Sequence, residues 1–154
     1  DKLTAPAYRD LPAESIPGHT AGDGVAVKVI AGASGGVTGA VQRTATEPLY
    51  LDIELPAGVT HKAVIPAGHN AFLYVYAGRV EVGERGEPVA VRQLAVLANT
   101  PGSDGVLLRG MDESRLVLIA GRPLHEPIAQ WGPFVMNHRE EIEDALADYR
   151  AGRF

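Results

Sequence analysis

Between residues 25 and 120, short runs rich in apolar residues recur. Gly, Pro, Asn and Asp interrupt the pattern about every ~10 residues. The clearest run is Leu49-Tyr-Leu-Asp-Ile-Glu-Leu55. Here Leu49, Leu51, Ile53 and Leu55 fall on one face, and Tyr50, Asp52 and Glu54 on the other, as in a half-buried strand. The same reading predicts strands over 25–32, 60–65, 71–76, 79–82, 89–91, 93–97, 106–109 and 116–120. Residues 1–20 are polar and Pro-rich, which predicts an extended arm with one helical turn near 12–15. The period changes after residue 120. A string of Gly, Pro and large apolar residues, 121–137, leads into Ile142, Ala145, Leu146 and Tyr149, spaced i, i+3, i+4, i+7 on one helical face. Asn137 with Glu140 three residues later reads as the helix N-cap, and Gly152 as the residue just past its end. The expectation is therefore an all-β sandwich or barrel followed by one α-helix, divided as arm and linker 1–20, barrel with its Gly/Pro-rich closing segment 21–137, and helix and tail 138–154.

Bulk properties narrow the function classes. The 154 residues suffice for one domain with a sizeable core. A net charge of −5 without any Lys/Arg run argues against nucleic acid as a partner. The absence of cysteine excludes disulfides, thiolate metal sites and Cys nucleophiles. No apolar run reaches the ~20 residues a membrane span needs. No signal peptide is visible, so a cytoplasmic location is expected, and the start at Asp1 without Met suggests a fragment or processed piece.

Several residue patterns point to a family. Near the end stand Pro123, Leu124, Glu126, Pro127, Ile128, Gly132, Pro133, Phe134, Val135, Met136, Asn137, Glu140, Glu141, Ile142, Asp148, Tyr149, Gly152 and Phe154. Upstream are Tyr8-Arg-Asp-Leu-Pro-Ala-Glu14, Ile16-Pro17 and Pro66-Ala-Gly-His-Asn-Ala-Phe-Leu-Tyr-Val-Tyr-Ala-Gly78. Together they resemble the C-terminal half of the pirins, which are proteins of two cupin barrels. The resemblance implies a jelly-roll-like cupin β-barrel with a C-terminal helix. It implies an iron-bearing N-terminal cupin as partner, in a parent protein of the quercetin 2,3-dioxygenase kind. Other pirins bind transcription factors, so a non-catalytic protein-binding module is the alternative.

Measured against a cupin metal site, the sequence falls short. Such a site takes a His-x-His pair and a Glu from one motif and a further His from a second. His-x-His on a strand sends both rings into the barrel, and three imidazoles with a carboxylate suit iron or manganese. This chain has no His-x-His, the expected Glu position falls at Asn70 or Ala71, and 98–109 holds no His. The expectation is that the chain binds no metal or cofactor and has no catalytic residue. The weak candidates are His61 and His69, with Asp52 or Glu54 as carboxylate, and the favoured reading makes both histidines turn or surface residues. His19, His125 and His138 read as solvated or capping residues. Ser34, His61 and Asp52 supply the residue types of nucleophilic catalysis, but no Gly-x-Ser-x-Gly elbow accompanies them. The loop 32–36 lacks the Lys-Ser/Thr and helix of a phosphate loop. Phe72, Tyr74 and Tyr76, alternating with Leu73 and Val75, line a pocket if they point inward and otherwise fill core. Asn70, Trp131, Phe134, Ile142, Leu146 and Tyr149 complete the candidate pocket and interface residues. Trp131 and Phe134 are the best anchors for a partner.

Overall fold

The computed structural model describes residues 7–153. A 3-10 turn, Ala13–Ser15, opens the described chain. Strands follow at β1 (Gly18–Thr20), β2 (Ala26–Ala31), β3 (Ala33–Ser34), β4 (Val37–Thr38), β5 (Leu49–Leu55), β6 (Thr60–Val64), β7 (Asn70–Ala77), β8 (Arg79–Val82), β9 (Glu87–Ala90), β10 (Leu94–Leu97), β11 (Gly105–Gly110), β12 (Ser114–Gly121), β13 (Ala129–Trp131) and β14 (Phe134–Met136). Helix α1 (Arg139–Arg150) ends the series. The chain divides into two compact units, one through Pro123 and one from Leu124 onward.

The first unit is an antiparallel sandwich of the jelly-roll kind. One sheet runs β1-β2-β5-β12-β7-β10 and the other β6-β11-β8-β9. Long crossovers set this order, since β5 and β12 pair along their whole length from Leu49↔Ala120 to Leu55↔Ser114. The two-residue period decides which side chains meet. Leu51, Ile53, Leu73, Val75, Leu116 and Leu118 from the first sheet share one core with Val80, Val89, Val106 and Leu108 from the second. Each such side chain contributes about 1.5–3 kcal/mol by leaving water, which is ample to hold the two sheets face to face. Gly78, at φ 71, turns the chain from β7 in one sheet to β8 in the other. A Cβ there would lie 2.5 Å from the Glu113 carbonyl oxygen and from Ser114 Oγ. The Ser114 hydroxyl, nearly fully buried, accepts from the Arg79 N–H at 3.1 Å, so this crossing point is hydrogen-bonded as well as tight.

The second unit is a β13–β14 hairpin turned at Gly132, with α1 beside it. The 121–137 string thus contains a hairpin that its Gly and Pro content concealed. The helix cap also lies one residue later than the spacing suggested. His138, not Asn137, is the N-cap, and Glu141 is the N3 residue. Glu141 Oε2 accepts from the N–H groups of His138 at 2.8 Å and Asn137 at 3.1 Å. The Asn137 side chain is drawn the other way, donating to Glu126 Oε2 at 3.0 Å and to the Pro127 carbonyl at 3.1 Å.

Candidate functional site

The inward positions around the expected first cupin motif are Ala63, Ile65 and Ala71, all buried, and those around the second are Val106 and Leu108. No group of three His, Cys, Asp or Glu side chains able to hold a metal occurs among the described residues. This donor set does not fit a metal held by three imidazoles and a carboxylate. His61 and His69 are not brought to one site. His61, on β6, places Nδ1 2.9 Å from Asp23 Oδ2, and His69, in the turn before β7, places Nε2 3.4 Å from Glu47 Oε2. The carboxylates expected beside them are engaged elsewhere, Asp52 by the Tyr76 hydroxyl at 2.6 Å and Glu54 by Arg115 at 3.3 Å. Sequence reasoning missed Asp23 and Glu47, because each lies in a loop remote from its histidine and follows no period.

These pairings shape the local electrostatics. Burial pushes the Asp23 carboxyl up, but the His61 hydrogen bond and the Val25 N–H at 3.1 Å outweigh it and hold the group below its ordinary value of 3.8. Burial, and then the hydrogen bond to Asp52, push the Tyr76 hydroxyl up to about 12. Tyr76 is therefore a neutral donor at physiological pH and is no base. His19 approaches Ser34 Oγ at 3.2 Å, whereas Ser34, His61 and Asp52 are not hydrogen-bonded to one another. His125 stands in the left-handed region at φ 55, on the exposed segment before β13.

The aromatic residues of β7 point outward. Ala71, Leu73 and Val75 enter the core, while Phe72 and Tyr74 are half-buried on the opposite face and Tyr76 is exposed. Phe72 lies between Ile119 and Val96, and Tyr74 between Val117 and Leu94; next to Ile119 comes Tyr50. Val96 is 79% exposed, so this row forms an apolar outer face reaching the sheet edge. Asn70, at the start of β7, accepts from Asn99 Nδ2 at 3.0 Å. In the second unit, Ile142 is buried, Leu146 and Phe134 are half-buried, and Trp131 and Tyr149 are exposed. Trp131, Ile142 and Leu146 line one groove of about 400 Å³, rimmed by the Arg139–Glu143 ion pair at 3.4 Å.

Comparison with known proteins agrees with this architecture. The chain is 47% identical, over 99% of its length and 54% of the relative's, to a Pseudomonas aeruginosa protein named "Putative quercetin 2,3-dioxygenase". It is 40% identical to the human protein Pirin, over 97% of this chain and 51% of that one. The crystal structure of a quercetin 2,3-dioxygenase from Acinetobacter baumannii superposes with a TM-score of 0.85 at 30% identity, covering 96% of this chain and 50% of that one. The chain thus spans about half the length of the curated relatives it matches. Residues 50–154 match the family described as the Pirin C-terminal cupin domain, and the chain belongs to the pirin family.

Proposed function

We propose that this chain is the metal-free C-terminal barrel of a two-barrel protein. In this reading it packs on an iron-bearing N-terminal cupin and helps close that site, within a cytoplasmic enzyme of the quercetin 2,3-dioxygenase kind. The supporting observation is the barrel interior itself. Where a cupin would direct imidazoles inward, this chain directs Ala63, Ile65, Ala71, Val106 and Leu108. A cavity filled by aliphatic side chains holds a scaffold together and offers a substrate no reacting group. Relatives twice as long supply room for the second barrel. In this division 1–20 is the linker, 21–137 the barrel and 138–154 the helix that meets the partner. Asn70, Phe72, Tyr74 and Tyr76 form one candidate contact patch, and Trp131, Phe134, Ile142, Leu146 and Tyr149 another.

Oxygen uptake with quercetin, paired with metal analysis, tests the reading. The expected result is activity and bound iron in the full-length protein, and neither in this chain alone. Stoichiometric iron or turnover in the isolated chain would sink it. Exposure of Ile128 at 79%, Trp131 at 59% and Tyr149 at 68% favours one second reading, a regulatory module that binds another protein through the C-terminal unit. Capture of the sister barrel alone, and no other protein, by the intact chain counts against that alternative.

A further inference from the structure

We propose that the open edge of β10 is a self-association site, at which a second copy of this chain adds its own β10 antiparallel, about a two-fold axis through Ala95. This contact needs neither iron nor dioxygenase activity, and so stands apart from the function proposed above. β10 ends the six-stranded sheet and, among the described residues, pairs only with β7. The Val75 N–H donates to the Gln93 carbonyl at 3.1 Å, and Ala95 and Leu97 stand opposite Leu73 and Ala71. Backbone groups alternate in direction along a strand. Gln93, Ala95 and Leu97 therefore face β7, whereas the N–H and C=O groups of Leu94 and Val96 face the open edge. The side chains of these two residues stand on the outer face, 54% and 79% exposed. Free backbone groups beside exposed apolar side chains form a template for another strand. Edges that stay unpaired are ordinarily blunted by Lys, Pro or another charged residue, and residues 93–99 contain none of these.

The strand is complementary to itself. With the axis at Ala95, Leu94 meets Val96 of the second copy, and Val96 meets Leu94 of the second copy. These pairs exchange hydrogen bonds that use every edge-facing backbone group of Leu94 and Val96. The two alanines then face each other as a non-hydrogen-bonded pair, the closer of the two spacings, which a methyl side chain tolerates. On the outer face, two leucines and two valines come into cross-strand contact and continue the apolar row of Tyr74 and Phe72 across the axis. Charge sets no barrier. The nearest ionic side chain, Arg92, falls opposite Ala98 of the second copy, so no like charges meet. A partner of other sequence would have to supply an apolar, uncharged strand with a small residue at the same place, which β10 already does. An edge of 4 residues buries less than the about 1,200 Å² of a standard stable complex, so the expected dimer is reversible.

Sedimentation equilibrium of the full-length protein is the first measurement, and a reversible monomer–dimer equilibrium is the expected result. Val96→Pro removes an outward N–H and no bond to β7, while Val96→Lys brings two like charges to the axis. Each should weaken dimerisation about tenfold or more. Val96→Lys alters a side chain that is 79% exposed, so it keeps the test open where Val96→Pro fails to fold. Cysteine substitutions read the register. Across the axis the Cα atoms of the two Ala95 residues lie about 4.5 Å apart and those of the two Val96 residues about 7–8 Å, on opposite sides of the about 7 Å limit for a disulfide. Under mild oxidation Ala95→Cys should therefore give a covalent dimer well above the wild-type background, and Val96→Cys should not. A protein that stays monomeric up to about 1 mM overturns the proposal. So do equal cross-linking of the two cysteine variants and a dimer indifferent to both Val96→Pro and Val96→Lys. Slow amide exchange of Leu94 and Val96 in the monomer overturns it too, since the second barrel would then already occupy the edge.

Discussion

The His61–Asp23 contact shows how one pair of side chains ties a loop to a strand 38 positions away in sequence. Its energetic weight follows from the direction of the Asp23 shift. A carboxyl whose folded value lies below its ordinary 3.8 stabilises the fold while ionised. That contribution is complete above the ordinary value and is lost as pH falls through the lower, folded one. The Asp23 side chain is 32% exposed, so solvent screens the pair and the contribution is under about 1 kcal/mol. Asp23→Asn should therefore lower the urea midpoint slightly at pH 6, and the gap from wild type should narrow steadily below pH 3.8. A gap that stays constant to pH 3 would show that the Asp23 charge does not stabilise the fold. The pairing was invisible in sequence because a hydrogen bond from a loop to a distant strand has no period.

At the scale of elements, the cap of α1 separates two readings of one stretch. The sequence reading takes Asn137 with Glu140, although His138 with Glu141 has the same three-residue spacing. The structure selects the second, because Glu141 Oε2 takes two backbone N–H groups while Asn137 is bound to Glu126 and Pro127. Glu141→Ala should cost about 0.5–2 kcal/mol of helix stability and raise amide exchange in the first turn, whereas Glu140→Ala should change exchange little. Equal effects of the two substitutions would contradict the cap. The strands were far more legible. Leu49–Leu55 declared its buried face because it is covered on one side only, and period two then has a single meaning. In β7 the same pattern was ambiguous, since Phe72 and Tyr74 are as apolar as Leu73 and Val75. Aliphatic side chains took the interior and the larger rings the outer face. The hairpin β13–β14 was missed because strands of three residues around Gly132-Pro133 are too short to display a period.

At the scale of the whole molecule, the two units differ in how they can be stable. The sandwich owns a core of aliphatic residues drawn from both of its sheets. The C-terminal unit consists of a two-stranded hairpin and a helix of 12 residues, of which Ile142 is the buried residue. An isolated hairpin is marginal in water, and so is a helix of that length, because each is repaid for its lost chain entropy only by burying an apolar face. In the function proposed above, that burial is supplied by a second barrel covering the groove lined by Trp131, Ile142 and Leu146. Hydrogen exchange then gives a direct expectation. Amides of 129–150 should exchange at least tenfold more slowly in the full-length protein than in this chain alone, while those of β5, β7 and β12 should hardly differ. Trp131→Ala should erase much of that protection in the full-length protein and leave the sandwich amides untouched. Equal exchange of 129–150 in both forms would mean that the second barrel leaves this groove uncovered, and would move the search for its contact to the outward row of Phe72, Tyr74, Val117 and Ile119.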